Sequence, residues 1–87
     1  MRNLRIHVLK RDIQNGKRCN TSCCPIALAV RRQTHSGGWA VQVGFGDVDV
    51  KGRIYQFPAA AASFISSFDR GRPVKPITFT ALRSLDA

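Results

Sequence analysis

The chain has 87 residues and a mass of 9.6 kDa, which is enough for a single domain spanning residues 1–87. Fourteen Lys and Arg residues against five acidic residues, all of them Asp, give a formal charge of +9 and a pI near 10.8. The hydrophobic content of 44% excludes a disordered chain, and no apolar run approaches the roughly 18 residues of a membrane span.

The first half of the chain predicts one strand, one short turn and one helix. Apolar and polar residues alternate over about residues 3–9, which is typical of a half-buried strand. Residues 12–16 resemble a capped single turn, with Asn15-Gly16 allowing a left-handed exit. A helix is predicted to begin at Cys24-Pro25, because proline at the first helical position loses no hydrogen bond, and to end at residues 36–38.

The second half predicts further strands and a second helix. The strands are expected at about residues 39–45, 48–50, 54–57 and 77–82. Pro58 begins the helix and Gly71 ends it. Within it, Phe64, Ile65 and Phe68 follow the spacing of one helix face, so we expect all three to be buried.

The element order is therefore β-α-β-β-(β)-α-β, with one strand in brackets because it is short. This order predicts an α+β domain in which a small antiparallel sheet carries two helices on one face. The nearest common form is the ferredoxin-like arrangement of split β-α-β units.

Three cysteines, Cys19, Cys23 and Cys24, fall within six residues. An odd, clustered set is unlike the disulfide framework of a secreted protein. The charged segment of residues 1–10 is also unlike a secretory leader. We therefore expect reduced thiols and a cytoplasmic protein with no membrane partner.

The cysteine cluster leaves two chemical readings open. With His7 or His35 it could supply zinc ligands, but structural zinc sites use two separated cysteine pairs and this chain has one. Cys24, at the start of a helix and near cations, could instead have a lowered pKa and be reactive. Our main expectation is a structural role, with no metal and no cofactor. The alternative is a cysteine-dependent metal-binding or redox regulatory module.

No arrangement of residues indicates an enzyme. The sequence contains no nucleophile elbow and no phosphate-binding loop, since the Gly44-Phe45-Gly46 segment lacks the Lys and Ser or Thr that must follow. Asp47 and Asp49 form an isolated pair without a third carboxylate for Mg²⁺. We predict a protein without catalytic residues and without a small-molecule substrate.

The positive charge is concentrated in residues 1–43, which hold eight cations and one acid, whereas residues 44–87 hold six cations and four acids. Such a field attracts a polyanion or an acidic protein surface. No motif for reading a specific nucleic-acid sequence is present. The candidate binding residues lie in predicted loops or at helix ends and are Arg11, Lys17, Arg18, Arg31 and Arg32.

Several short segments resemble small accessory proteins encoded by bacteriophages and prophages. These segments are Asp12-Ile13 with Gly16, residues 24–29, Pro58-Ala59, Phe64, Phe68-Asp69, residues 71–74 and Pro76. The resemblance spans most of the chain and assigns no functional residue. It implies a protein that works in a bacterial cytoplasm by binding and blocking host or defence machinery, including nucleoprotein complexes such as CRISPR effectors.

Composition and resemblance together give one leading hypothesis. The chain is expected to be a non-enzymatic binding protein, of anti-CRISPR-like type, that uses its basic N-terminal half to contact nucleic acid or a host nucleoprotein complex.

Overall fold

The computed structural model describes residues 3–37, 40–44 and 46–83. Trp39 and Phe45, which the predicted strand at 39–45 includes, lie outside these residues. The described elements are β1 (Leu4–Val8), α1 (Lys10–Asn15), α2 (Pro25–Thr34), β2 (Val41–Val43), β3 (Asp47–Val50), β4 (Arg53–Gln56), α3 (Ala59–Asp69) and β5 (Ile77–Arg83). Each predicted element is present, and the predicted turn at 12–16 is a short helix that begins two residues earlier.

The five strands form one antiparallel sheet in the order β1-β5-β4-β3-β2. The α+β class and the antiparallel sheet are thus confirmed. The ferredoxin-like order is not, because in a split β-α-β unit one strand separates the two strands that a helix joins. Here three strands separate β1 from β2, and β4 lies directly beside β5.

The sheet curls around α2, since this helix packs against both edge strands, β1 and β2. Ile26, Ala29 and Val30 of α2 are fully buried. They join a single hydrophobic core with the inward side chains of the strands and with α3. The result is a half-barrel with three helices instead of the two-helix sandwich that the sequence predicts.

The outer edge of β1 is covered by a side chain of α2. The backbone N–H of His7 donates to Oε1 of Gln33 at 2.7 Å, and Nε2 of Gln33 donates to the carbonyl of Arg5, also at 2.7 Å. One glutamine thus makes the two hydrogen bonds that a neighbouring strand would make. An uncovered strand edge invites pairing with another chain, so this contact protects the sheet.

The boundaries of α2 arise from local chemistry. Cys24 is the N-cap, and its Sγ accepts a hydrogen bond from the N–H of Ala27 at 3.4 Å. His35 ends the helix in the left-handed conformation, with φ of 54°. The predicted left-handed exit at Gly16 is wrong, because Gly16 is extended. A Cβ on Gly16 would instead lie 2.6 Å from the ring of Pro25, so a larger residue would separate this segment from α2.

The helix α3 lies on the same core as α2. Phe64 and Ile65 are buried as predicted, each with 7% of its surface exposed. Phe68 is only half-buried, contrary to the prediction, and its ring stacks against Phe64 with centroids 6.5 Å apart. No helix among the described residues has the length and hydrophobicity to cross a membrane.

Candidate functional site

Two of the predicted pairs, Lys17-Arg18 and Arg31-Arg32, lie toward opposite ends of α2, while Arg11 lies on α1 next to Asp12, the ion-pair partner of Arg32. Arg11 is exposed on α1, and Lys17 and Arg18 are exposed in the loop between α1 and α2. Arg31 and Arg32 lie in the last turn of α2. The rise of about 1.5 Å per residue puts that turn roughly 10 Å along the axis from the helix start, where the Lys17 loop is attached.

Arg32 is held by contacts inside the protein. Its Nη2 donates to Oδ2 of Asp12 at 2.8 Å and to the carbonyl of His7 at 2.9 Å. Asp12 is buried, and the Arg32 side chain is 30% exposed. Arg31 is half-buried too, so neither arginine at this helix end is fully exposed. Arg32 ties α2 to α1 and β1.

The loop with Lys17 and Arg18 is joined to the loop that follows α3. The N–H of Cys19 donates to Oδ1 of Asp69 at 2.9 Å, which fixes the two loops side by side. The guanidinium of Arg18 lies directly over Gly71, where Nη1 would be 2.6 Å from a Cβ. Gly71 has φ of +77°, a backbone conformation that favours glycine, and a larger residue would also displace the end of the Arg18 side chain.

These contacts bring cations from both halves of the chain together. Arg70 and Arg72 flank Gly71 in sequence, and both are exposed, as are Lys17 and Arg18. We call Lys17, Arg18, Arg70 and Arg72 the basic two-loop surface. Of the residues that the structure describes, none of these four forms an ion pair within 4.0 Å. Their charge is therefore available to a ligand.

Arg70 and Arg72 are absent from the predicted binding residues. A count of charge along the chain assigns the basic character to residues 1–43, because four acids offset the cations of the second half. The available signal in the sequence was the Arg70-Gly71-Arg72 run directly after the predicted helix. The hydrogen bond from Cys19 to Asp69 places the Arg-Gly-Arg run beside Arg18.

The three cysteines are free thiols of unequal exposure: Cys19 is exposed, Cys23 is half-buried and Cys24 is buried. Burial raises the pKa of the Cys24 thiol, and the nearby Asp69 carboxylate raises it further. The predicted N-cap position is confirmed, and the alternative reading of a reactive thiol with a lowered pKa is contradicted, because desolvation outweighs the hydrogen bonds that cap the helix. Cys24 stays protonated at neutral pH and packs as part of the core.

The part of the chain that the structure describes contains no donor set for a metal ion. Within residues 3–37, 40–44 and 46–83, no three His, Cys, Asp or Glu side chains lie close enough together to hold one.

Asp49 belongs to the acidic pair that it forms in the sequence with Asp47. Its Oδ1 accepts a hydrogen bond from the N–H of Gly52 at 2.8 Å and so stabilises the turn between β3 and β4.

Comparison with known proteins gives no assignment: no family model, no curated protein and no solved structure matches this chain.

Proposed function

We propose that this chain is a non-enzymatic binding protein whose basic two-loop surface contacts the phosphate backbone of a nucleic acid, free or within a nucleoprotein complex. The observation that carries the proposal is the guanidinium of Arg18 lying over Gly71 between Arg70 and Arg72. Three arginines presented together without carboxylate partners fit phosphate, since the planar guanidinium donates two parallel hydrogen bonds to it.

The charge of the whole molecule supports the same assignment. The chain carries +9, so a polyanion is attracted from a distance before any contact forms. The resemblance to phage accessory proteins extends the proposal to its biological setting, in which the ligand is a host or defence nucleoprotein complex and binding blocks its action. Arg11 and Arg31 belong to this proposal as flanking cations, whereas Arg32 acts mainly within the fold.

The test is a salt titration of binding to duplex DNA, single-stranded DNA and RNA. Each phosphate contact releases counterions, so the slope of log affinity against log salt is expected to be about −0.9 per duplex phosphate neutralised, or about −0.7 on a single strand. The double variant Arg18→Ala with Arg72→Ala should make the slope shallower by roughly two contacts.

A matched control separates local contact from total charge. The variant Lys51→Asn with Arg53→Ala also removes two exposed cations, from the turn between β3 and β4, and Asn tolerates the positive φ of Lys51. It should bind more weakly overall but keep most of the wild-type slope. Equal slopes for the two double variants would contradict a localised site, and no binding to any nucleic acid at about 50 mM salt would overturn direct contact.

A further inference from the structure

A cavity of about 250 Å³ lies between the loop that joins α1 to α2, the end of β2 and the last turns of α3. Its inner wall is apolar and comes from Cys24, Val43 and Ile65, while Cys19 and Asp69 form part of its rim. Ligand pockets for drug-sized molecules measure about 300–1,000 Å³, so this one suits a single small ring system.

The rim of the cavity is continuous with the basic two-loop surface. Cys19 follows Arg18 in the chain, and Asp69 precedes Arg70. The hydrogen bond from the N–H of Cys19 to Oδ1 of Asp69 therefore joins the two segments that carry the cavity rim and the neighbouring cations. When a ring fills the cavity, the group attached to that ring would lie near guanidinium groups. This arrangement favours a molecule with an apolar ring attached to phosphate.

Asp69, the acidic residue at the rim, indicates which kind of ring the cavity would bind. Asp69 is half-buried, and among the described residues its carboxylate accepts only the hydrogen bond from Cys19. A carboxylate within a basic surface repels phosphate. Asp69 would therefore contact a ligand by accepting a hydrogen bond from a donor group. Exocyclic amino groups of nucleobases are such donors, and an Asp accepting from cytosine N4 is a common pairing.

We propose that this cavity binds one nucleobase of a single-stranded nucleic acid, while the adjacent phosphates lie on the basic two-loop surface. This inference rests on the proposed function and extends it from backbone contact to base contact. It predicts a preference for bases that carry an amino group, such as cytosine, over thymine, because thymine offers no amino donor to Asp69.

The first experiment compares two strands of equal length and charge: an oligo(dC) and an abasic strand made of the same number of tetrahydrofuran phosphodiester units. Stacking and insertion of a base add affinity beyond the phosphate contribution, so oligo(dC) should bind about tenfold more tightly. Equal affinities would overturn the base pocket and leave the proposed function intact. Binding of neither strand at about 50 mM salt would overturn the base pocket, and it would overturn the proposed function too if duplex DNA and RNA also fail to bind.

The second experiment locates the base by protection of a thiol at the cavity mouth. In a Cys23→Ser background, Cys19 is the exposed thiol of the described residues, and it should react with N-ethylmaleimide more slowly when oligo(dC) is bound. The abasic strand at the same occupancy should protect far less. Equal protection by both strands, or none by oligo(dC), would contradict insertion of a base at this place.

The third experiment tests the acceptor itself. Asp69→Asn keeps a side-chain oxygen for the N–H of Cys19 and removes the charge, so the loops should stay joined. The wild-type protein should prefer oligo(dC) over oligo(dT) about fivefold, and the variant should lose this ratio even if its overall affinity rises. A ratio that is unchanged in the variant would overturn the role of Asp69.

The thiol-protection experiment can also identify a different occupant. If a hydrophobic peptide protects Cys19 and oligo(dC) does not, the cavity accepts a protein side chain and the nucleobase proposal is wrong.

Discussion

Asp12 and Arg32 show how a single pair of side chains organises the N-terminal part of the fold. The Asp12 carboxylate is buried and accepts two hydrogen bonds of 2.8 Å, one from the N–H of Leu9 and one from Arg32. The same guanidinium also binds the carbonyl of His7. A buried carboxylate needs such partners, because desolvation without them is costly.

Replacing Arg32 by Ala should therefore destabilise the protein. The buried Asp12 would lose its cation, and we expect a loss of about 2 kcal/mol in the free energy of unfolding, below the range of about 3–5 kcal/mol for fully buried pairs because the Arg32 side chain is 30% exposed. Urea denaturation at neutral pH measures this. Arg31→Ala is the matched control, since Arg31 is its half-buried neighbour without an ion pair among the described residues, and it should cost well under half as much. Similar losses for both variants would show that the pair has no special role.

At the scale of elements, the edges of the sheet are closed by segments that are not strands. Gln33 of α2 covers β1 through two hydrogen bonds. On the opposite edge, the N–H of Val43 in β2 donates to the carbonyl of Thr21 at 2.8 Å, and the side chains of Thr21 and Gln42 are hydrogen-bonded as well. The loop that carries the cysteines thus has a structural role along its whole length.

Removing the cover of β1 should have two measurable effects. Gln33→Ala deletes two hydrogen bonds that are largely at the surface, so we expect a loss of about 1 kcal/mol in stability. It also exposes a strand edge, and sedimentation velocity at high protein concentration should detect self-association. Gln14→Ala, which replaces an exposed glutamine on α1, should leave both stability and association unchanged. A monomeric Gln33→Ala variant of wild-type stability would mean that the edge needs no cover.

At the scale of the whole molecule, charge and stability act against each other. The chain carries a net charge of +9 after all five carboxylates are counted, and within the described residues Asp12–Arg32 is the one ion pair. Repulsion among unpaired cations destabilises a compact state. The same excess of positive charge is what would attract a polyanion.

Screening this repulsion should stabilise the protein. Raising NaCl from about 10 to 300 mM shortens the range of charge interactions to below about 10 Å, so we expect Tm to rise by a few degrees, which corresponds to somewhat under 1 kcal/mol for a domain of this length. Thermal unfolding followed by circular dichroism is the measurement. The variant Lys51→Asn with Arg53→Ala carries two cations fewer and should show a smaller rise. A Tm that falls with salt would indicate that attractive pairs, and not repulsion, dominate.

By itself the sequence determined the positions of the helices and strands, because their signals are local. Alternating apolar residues mark β1, Cys24-Pro25 begins α2, and Gly71 ends α3. Chain composition and the clustered thiols likewise pointed to a basic domain with no disulfide framework. Each of these conclusions depends on neighbours a few residues apart.

Only the tertiary structure decided the strand order and which cations form the basic two-loop surface. The pairing of Leu4 with Ala81 joins nearly the two ends of the chain, and no local pattern specifies such a partner. The same holds for charge, because the pairs Arg31-Arg32 and Lys17-Arg18 look alike in the sequence. In the fold, Arg32 forms an ion pair with Asp12, whereas Arg18 lies over Gly71, between Arg70 and Arg72 in the chain. Which cations remain free depends on where the few carboxylates lie in space, and that is set by long-range packing.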